Sequence, residues 1–189
     1  MRMKFIFPLL ALGSLAVAGY TFWLGWRFHD GTVELARREA EGQPPAADER
    51  AAIGALIGPH FVWGMASGVA VAFVHSVVLV YFLGTGKAIK EQMELRHWDG
   101  VLHGRSKRLM AQSILPASAG IVLIVLGAFS GGFAMIQFLP PEVHLAIAAL
   151  ALAGQAVAYV VEFALIVENG RLMDAVIERL GGDDVRLVL

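Results

Sequence analysis

Four long stretches of this 189-residue chain carry almost no charge, and their length constrains the fold more than any other feature. They cover residues 5–26, 59–83, 109–139 and 143–167, and Glu162 is the only Asp, Glu, Lys or Arg within them. A helix needs about 20 consecutive apolar residues to cross the roughly 30 Å hydrocarbon core of a bilayer. Each stretch is long enough, so the sequence predicts an all-α integral membrane protein with four transmembrane helices.

The composition indicates which partners and ligands are available to such a chain. It is 57% hydrophobic and 16% charged, whereas soluble domains carry about 25% charged residues. The net charge of −1 provides no basic field for nucleic acid, so the lipid bilayer is the expected partner. Because there is no cysteine, disulfides, thiolate metal sites, iron–sulfur clusters and covalently attached haem are excluded, and His, Met, Tyr and carboxylates are left as ligands.

The distribution of Lys and Arg predicts the orientation, because cytoplasmic loops retain positive charge. Eleven of these residues fall on one predicted side: Arg2, Lys4, Lys87, Lys90, Arg96, Arg105, Lys107, Arg108, Arg171, Arg179 and Arg186. Only four fall on the other side: Arg27, Arg37, Arg38 and Arg50. We therefore expect an up-down four-helix bundle with both termini inside (N-in/C-in), in a bacterial cytoplasmic (inner) membrane.

These predictions define a single membrane domain over residues 1–189. Its helices are expected at about 5–27, 59–84, 109–136 and 143–168, with an outer loop at 28–58, a basic cytoplasmic loop at 84–108 and a cytoplasmic tail at 169–189 that contains a short amphipathic helix at 172–180. An alternative treats the first span as a cleaved secretory signal, because Ala16-Val17-Ala18 resembles a cleavage site. The apolar run continues beyond it, which favours an uncleaved span.

Small and polar residues follow one face of the second and fourth predicted helices, at a spacing that places them in a stripe. The first stripe contains His60, Gly64, Gly68, Ala72, His75 and Ser76, and the second contains His144, Ala148, Ala151, Gln155, Tyr159 and Glu162. Both helices enter the bilayer from the same side, so residues equally far from their starts are expected at equal depth. The sequence therefore predicts an outer polar layer and an inner polar layer.

The outer layer contains His60 and His144, and we interpret it as the site of one b-type haem held by two imidazoles. His29 could replace either ligand, Gln137 lies nearby, and the glycines Gly64 and Gly68 would make room for a flat macrocycle. Close packing of helices is an alternative use of these glycines. Two wetted interfacial histidines, or a zinc or copper site that also uses His29 and Asp30, are alternatives for the pair.

The inner layer contains His75, Tyr159 and Glu162, with Ser76 and Gln112 at a similar depth. Ionisable residues within a membrane cost at least about 2.5–3.5 kcal/mol on insertion scales and usually mark a site. We interpret this layer as a proton-handling or quinone-binding pocket. The alternative is a structural carboxylate that is hydrogen-bonded to its neighbours or extends toward the basic loop.

No motif identifies a reaction, so a membrane subunit is favoured over a stand-alone enzyme. The first hypothesis is a haem b subunit that transfers electrons between quinone and a partner. The second is a non-catalytic accessory or assembly subunit that packs against partner membrane subunits or a second copy, and the third is a small metal or solute transporter. In architecture alone, the layout resembles the membrane anchors of respiratory enzymes. At most one haem is expected, because Tyr159 rather than a histidine stands opposite His75.

Overall fold

The computed structural model describes residues 3–136 and 138–181, and these form helices joined by short turns, with no strand among them. The helices are α1 (Met3–Ala40), α2 (Ala47–Gly54), α3 (Ile57–Arg96), α4 (Val101–Met135) and α5 (Pro141–Arg179). Within this part of the chain, α1, α3, α4 and α5 are each long and apolar enough to cross a membrane. The predicted all-α class is confirmed for the described residues, as is the presence of four helices long and apolar enough to cross a membrane.

The helices extend well beyond the apolar runs that predicted them. Much of the expected outer loop belongs to α1 and α2, and the expected loop at 84–108 contains only a four-residue connection, 97–100, between α3 and α4. Charged pairs at helical spacing stabilise the extensions, as in Lys87–Glu91 and Lys90–Glu94 on α3. At the other end of the chain, residues 172–179 are the last turns of α5 and not a separate helix.

The chain divides into two compact units, and each of the four long helices contributes a segment to both. The first unit comprises Met1–Leu12, Phe73–Gly120 and Ala156–Leu189, and the second comprises Gly13–Ala72 and Ile121–Gln155. Fully buried side chains of the first unit include Phe7, Phe82, Ile89, Ile166, His75 and Glu162. Buried side chains of the second unit include Leu24, Ser67, Val71 and Ala151.

In the second unit, the short helix α2 folds back onto the end of α1. Gly42 has a positive φ of 74° and makes the turn between them. Ion pairs join the two helices, with Arg38 bonded to Glu49 at 3.1 Å and Arg50 bonded to Glu39 at 2.6 Å. In the first unit, exposed Arg105 on α4 pairs with Glu168 on α5.

Candidate functional site

Two histidines at the starts of α3 and α5 come together in the second unit. The ring centroids of His60 and His144 are 6.2 Å apart, and their planes are inclined at 74°. Both side chains are half-buried. The structure thus brings together the two residues that the sequence placed at equal depth.

Each of these rings is anchored through its Nδ1 atom. His60 Nδ1 lies 3.0 Å from the backbone oxygen of Thr21, and because a carbonyl oxygen only accepts, Nδ1 carries the hydrogen. His144 Nδ1 lies 2.9 Å from Ser130 Oγ. Ser130 donates its single hydroxyl hydrogen to the backbone oxygen of Gly127 at 2.8 Å, so it accepts from His144. In both neutral rings, Nε2 is therefore the nitrogen with the free electron pair.

Two glycines that the sequence analysis did not single out make room for these rings. A Cβ atom at Gly25 on α1 would lie 2.8 Å from His60 Cε1, and one at Gly131 on α4 would lie 3.1 Å from His144 Cε1. Any side chain at either position would displace the imidazole. Gly25 is four residues after Thr21, and Gly131 is next to Ser130, so one glycine accompanies each Nδ1 acceptor. The two spacings differ, and neither acceptor could be predicted, so no sequence signal identified these glycines in advance.

The glycines predicted for the site are differently placed. A Cβ atom at Gly64 would make ordinary contact with Thr21 Cγ2 at 3.8 Å, whereas one at Gly68 would meet nothing within 4 Å. A Cβ atom would therefore fit at Gly64, and the space beside Gly68 is open. Their use by a flat ligand stays a prediction.

The remaining candidates for the outer layer do not assemble a larger ligand set. His29 is half-buried on α1, with an Nδ1 atom that has no hydrogen-bond partner within the described chain, and Asp30 is exposed. Among the described residues, no three His, Asp or Glu side chains lie close enough to hold a metal ion. A three-ligand zinc or copper site is therefore not formed there. Gln137 lies outside the described residues.

A buried acid–base pair occupies the first unit. His75 Nδ1 on α3 lies 2.7 Å from Glu162 Oε1 on α5, and both side chains are fully buried. The ring of Tyr159 lies 5.3 Å from the ring of His75, and Phe7 of α1 meets Tyr159 edge-on at 5.9 Å. A nitrogen and an oxygen at this distance share a hydrogen, so the pair holds a proton in an apolar surrounding.

The structure does not bring Gln112 to this pair. Gln112 is exposed on α4, and its neighbour Ser113 is the buried polar residue. Ser113 donates to the backbone oxygen of Met110 at 2.8 Å. Since each residue turns a helix by about 100°, an offset of one position is enough to direct a side chain away from the interior. Ser76 is exposed as well.

Two further buried polar residues of the first unit were not predicted. Asn169 lies two turns beyond Glu162 on α5, and its Nδ2 donates to Thr85 Oγ1 at 2.9 Å. Ser106 lies on α4 against Gly86. Both residues fall outside the apolar runs, where polar residues are common and do not indicate a site. The spacing of seven residues from Glu162 to Asn169 was the available signal, because it places both on one helix face.

Comparison with models of protein families, with curated protein sequences and with solved structures finds no match for this chain. Its function is therefore inferred from the geometry of its own residues.

Proposed function

We propose that the protein is an integral membrane subunit that holds one b-type haem between His60 and His144 and takes part in electron transfer with quinone. The observation that carries this proposal is the facing imidazole pair, in which both Nδ1 atoms are anchored and both Nε2 atoms are free to bind a metal. Metal-bound histidines commonly donate the other ring N–H to a carbonyl or carboxylate, which fixes the tautomer and the ring orientation.

The separation of the rings is also suitable for two ligands of one iron. Metal–imidazole bonds are about 2.0–2.1 Å long and a nitrogen lies about 1.1 Å from its ring centre, so two imidazoles that held one ion would have centres at most about 6.3 Å apart. The observed centroid distance is 6.2 Å. When bound, the haem would supply one-electron chemistry. The chain's own part is to hold both imidazoles in place through Nδ1, by means of Thr21 and Ser130.

We assign the proton or quinone site of this subunit to His75, Tyr159 and Glu162. Quinone reduction consumes protons together with electrons, and a buried His–Glu pair that shares a proton is suited to deliver them. The aromatic rings of Tyr159 and Phe7 provide an apolar wall beside the pair. The exposed position of Gln112 gives no support to its inclusion.

We place both termini on the cytoplasmic side of a bacterial inner membrane. Six Lys and Arg residues lie on the ends of α3 and α4 beside their four-residue connection: Lys87, Lys90, Arg96, Arg105, Lys107 and Arg108. Positive charge of this density is retained on the inner side.

The test is an absorption spectrum of the detergent-purified protein, made with ample haem, before and after reduction with dithionite. We expect a sharp b-type α-band in the reduced wild-type protein and in His29→Leu, which serves as the matched control. His60→Leu and His144→Leu should each lose the band while they retain their helix content by circular dichroism. A colourless wild-type protein, or a band that persists unchanged in His144→Leu, would contradict the haem assignment.

A second candidate function is that of a non-catalytic accessory subunit, which is favoured by glycines with open space where a side chain would stand. Cβ atoms at Gly13, Gly19 and Gly132 would meet no atom within 4 Å. Small residues on lipid-facing positions let another helix approach closely. This function predicts a colourless protein that co-purifies with a fixed membrane partner, whereas a haem spectrum without such a partner would contradict it.

A further inference from the structure

Three buried oxygen atoms of the first unit have no hydrogen-bond partner within the described chain. They are Glu162 Oε2, Asn169 Oδ1 and Ser106 Oγ. The side chains of Glu162 and Asn169 are fully buried, and Ser106 is 1% exposed. Buried polar atoms are nearly always hydrogen-bonded, and internal water is a common partner for those that protein groups do not reach.

The hydrogen bonds around these atoms determine what kind of partner they need. Thr85 Oγ1 donates to the backbone oxygen of Tyr81 at 2.9 Å, so it accepts from Asn169 Nδ2 at 2.9 Å and leaves Asn169 Oδ1 as a free acceptor. Glu162 Oε1 is occupied by His75, which leaves Oε2. Two acceptors cannot bond to each other. Water molecules, which have two hydrogens each, can donate to both.

The three atoms also follow one another along the helices. Glu162 and Asn169 share one face of α5 and are separated by seven residues, a rise of about 10.5 Å. A Cβ atom at Gly86 would lie 3.3 Å from Ser106 Oγ, and Gly86 directly follows Thr85, which holds Asn169. Ser106 and Asn169 therefore lie at nearly the same level, toward the α3–α4 connection. At hydrogen-bond spacings of about 2.8 Å, two or three water molecules would span the interval to Glu162.

We propose that ordered water molecules join Ser106, Asn169 and Glu162 and form a proton route from the α3–α4 connection to the His75–Glu162 pair. A proton enters from bulk water at the α3–α4 connection, reaches the internal waters beside the buried Ser106 and passes along them, as each O–H bond that forms is matched by one that breaks. At the inner end, a hydronium ion gives its proton to the Glu162 carboxylate, which yields the carboxylic acid and a water. No electron is transferred in this step. The route itself does not depend on the proposed function; only the use of the delivered proton in quinone reduction does.

Asn169 permits a direct test, because it is the only asparagine in the chain. Protein labelled with ¹³C and ¹⁵N at asparagine and ¹³C at valine, reconstituted in lipid bilayers, is examined by solid-state NMR for transfer of polarisation from water protons. Val71 is the dry control, since it is 0% exposed and belongs to the second unit, whereas the proposed waters lie in the first. Its signal is assigned by its loss in Val71→Ala.

We expect polarisation to reach the Asn169 side chain at least about threefold faster than Val71, because bound water would be its direct neighbour. Equal rates at the two residues would overturn the proposal. As a second measurement, Asn169→Leu should slow hydrogen–deuterium exchange of the His75 ring N–H several-fold, whereas Val71→Ala should not. Unchanged exchange in Asn169→Leu would refute the route. A haem spectrum recorded on the same samples separates failure of this route from failure of the haem assignment.

Discussion

Replacing either His75 or Glu162 alone by leucine should destabilise the protein far more than replacing both. In His75→Leu the Glu162 carboxyl loses its partner at 2.7 Å, and its other oxygen has no hydrogen bond within the described residues. In Glu162→Leu the ring of His75 loses the same partner. The double variant places two apolar side chains in a site that is already walled by Phe7 and Tyr159.

The single variants are expected to lose much of the free energy of unfolding, because both side chains are 0% exposed. Breaking a buried ion pair from one side typically costs about 3–5 kcal/mol, whereas replacing both partners by apolar residues is often close to neutral. If each single variant loses at least about 3 kcal/mol and the double variant loses at most about 2 kcal/mol, the coupling is at least about 4 kcal/mol. Ordinary interhelical hydrogen bonds in membranes average only about 0.6 kcal/mol, with a maximum near about 1.7 kcal/mol.

The assay is equilibrium unfolding in mixed micelles with increasing dodecyl sulfate, followed by circular dichroism, for the wild type, both single variants and the double variant. The hydroxyl pair Thr21–Ser67, bonded at 2.8 Å in the second unit, supplies a benchmark through the variants Thr21→Val and Ser67→Ala. We expect a coupling near the membrane average for this benchmark. A His75–Glu162 coupling no larger than that of the benchmark would refute the expectation that this buried pair is coupled more strongly than an ordinary interhelical hydrogen bond.

Three further predictions concern the outer site and the orientation. Gly25→Ala should destabilise the protein by about 1–3 kcal/mol and weaken haem retention, because its Cβ would lie 2.8 Å from His60 Cε1. The control Gly13→Ala, where nothing lies within 4 Å, should be neutral or stabilising in the same unfolding assay. Ser130→Ala should lower haem affinity about 10–100-fold in a haem titration, because His144 Nδ1 loses its acceptor. Alkaline phosphatase fused between α1 and α2 should be active, and fused at the α3–α4 connection it should be inactive; the reverse pattern would refute the proposed orientation.

The spanning helices could be predicted because the bilayer imposes a minimum apolar length, but this requirement says nothing about where a helix ends. Beyond its apolar stretch, the continuation of α3 to Arg96 depends on helix propensity and on ion pairs such as Lys90–Glu94. Similarly, α1 continues to Ala40 with Arg37 between Glu34 and Glu41. The low hydropathy of these charged turns predicts a loop. The ion pairs at helical spacing instead stabilise a helix there.

The pairing of His60 with His144 could be predicted from depth alone, because both follow a helix start on the same side of the bilayer. The groups that anchor the two rings could not be predicted, since their identity depends on which helix lies beside each ring and on how that helix is rotated. Thr21 contributes a backbone oxygen, which no side-chain pattern reveals. The same limit explains why the buried polar residue of α4 is Ser113 and not Gln112.

Polar residues within these helices differ in whether the side chain also bonds to its own helix. Serine and threonine hydroxyls can do so: Thr85 bonds to Tyr81, Ser113 to Met110 and Ser130 to Gly127. Such residues meet part of their hydrogen-bonding need locally, and Ser130 and Thr85 in addition accept a hydrogen bond from another helix. Longer side chains depend on a different helix for their bonds, as do those of His60, His75, His144, Glu162 and Asn169. Ionisable side chains in a membrane interior are rare, usually have such a partner and often mark a site. The functional sites of this chain are therefore expected where those side chains meet their partners, and both proposed sites lie there.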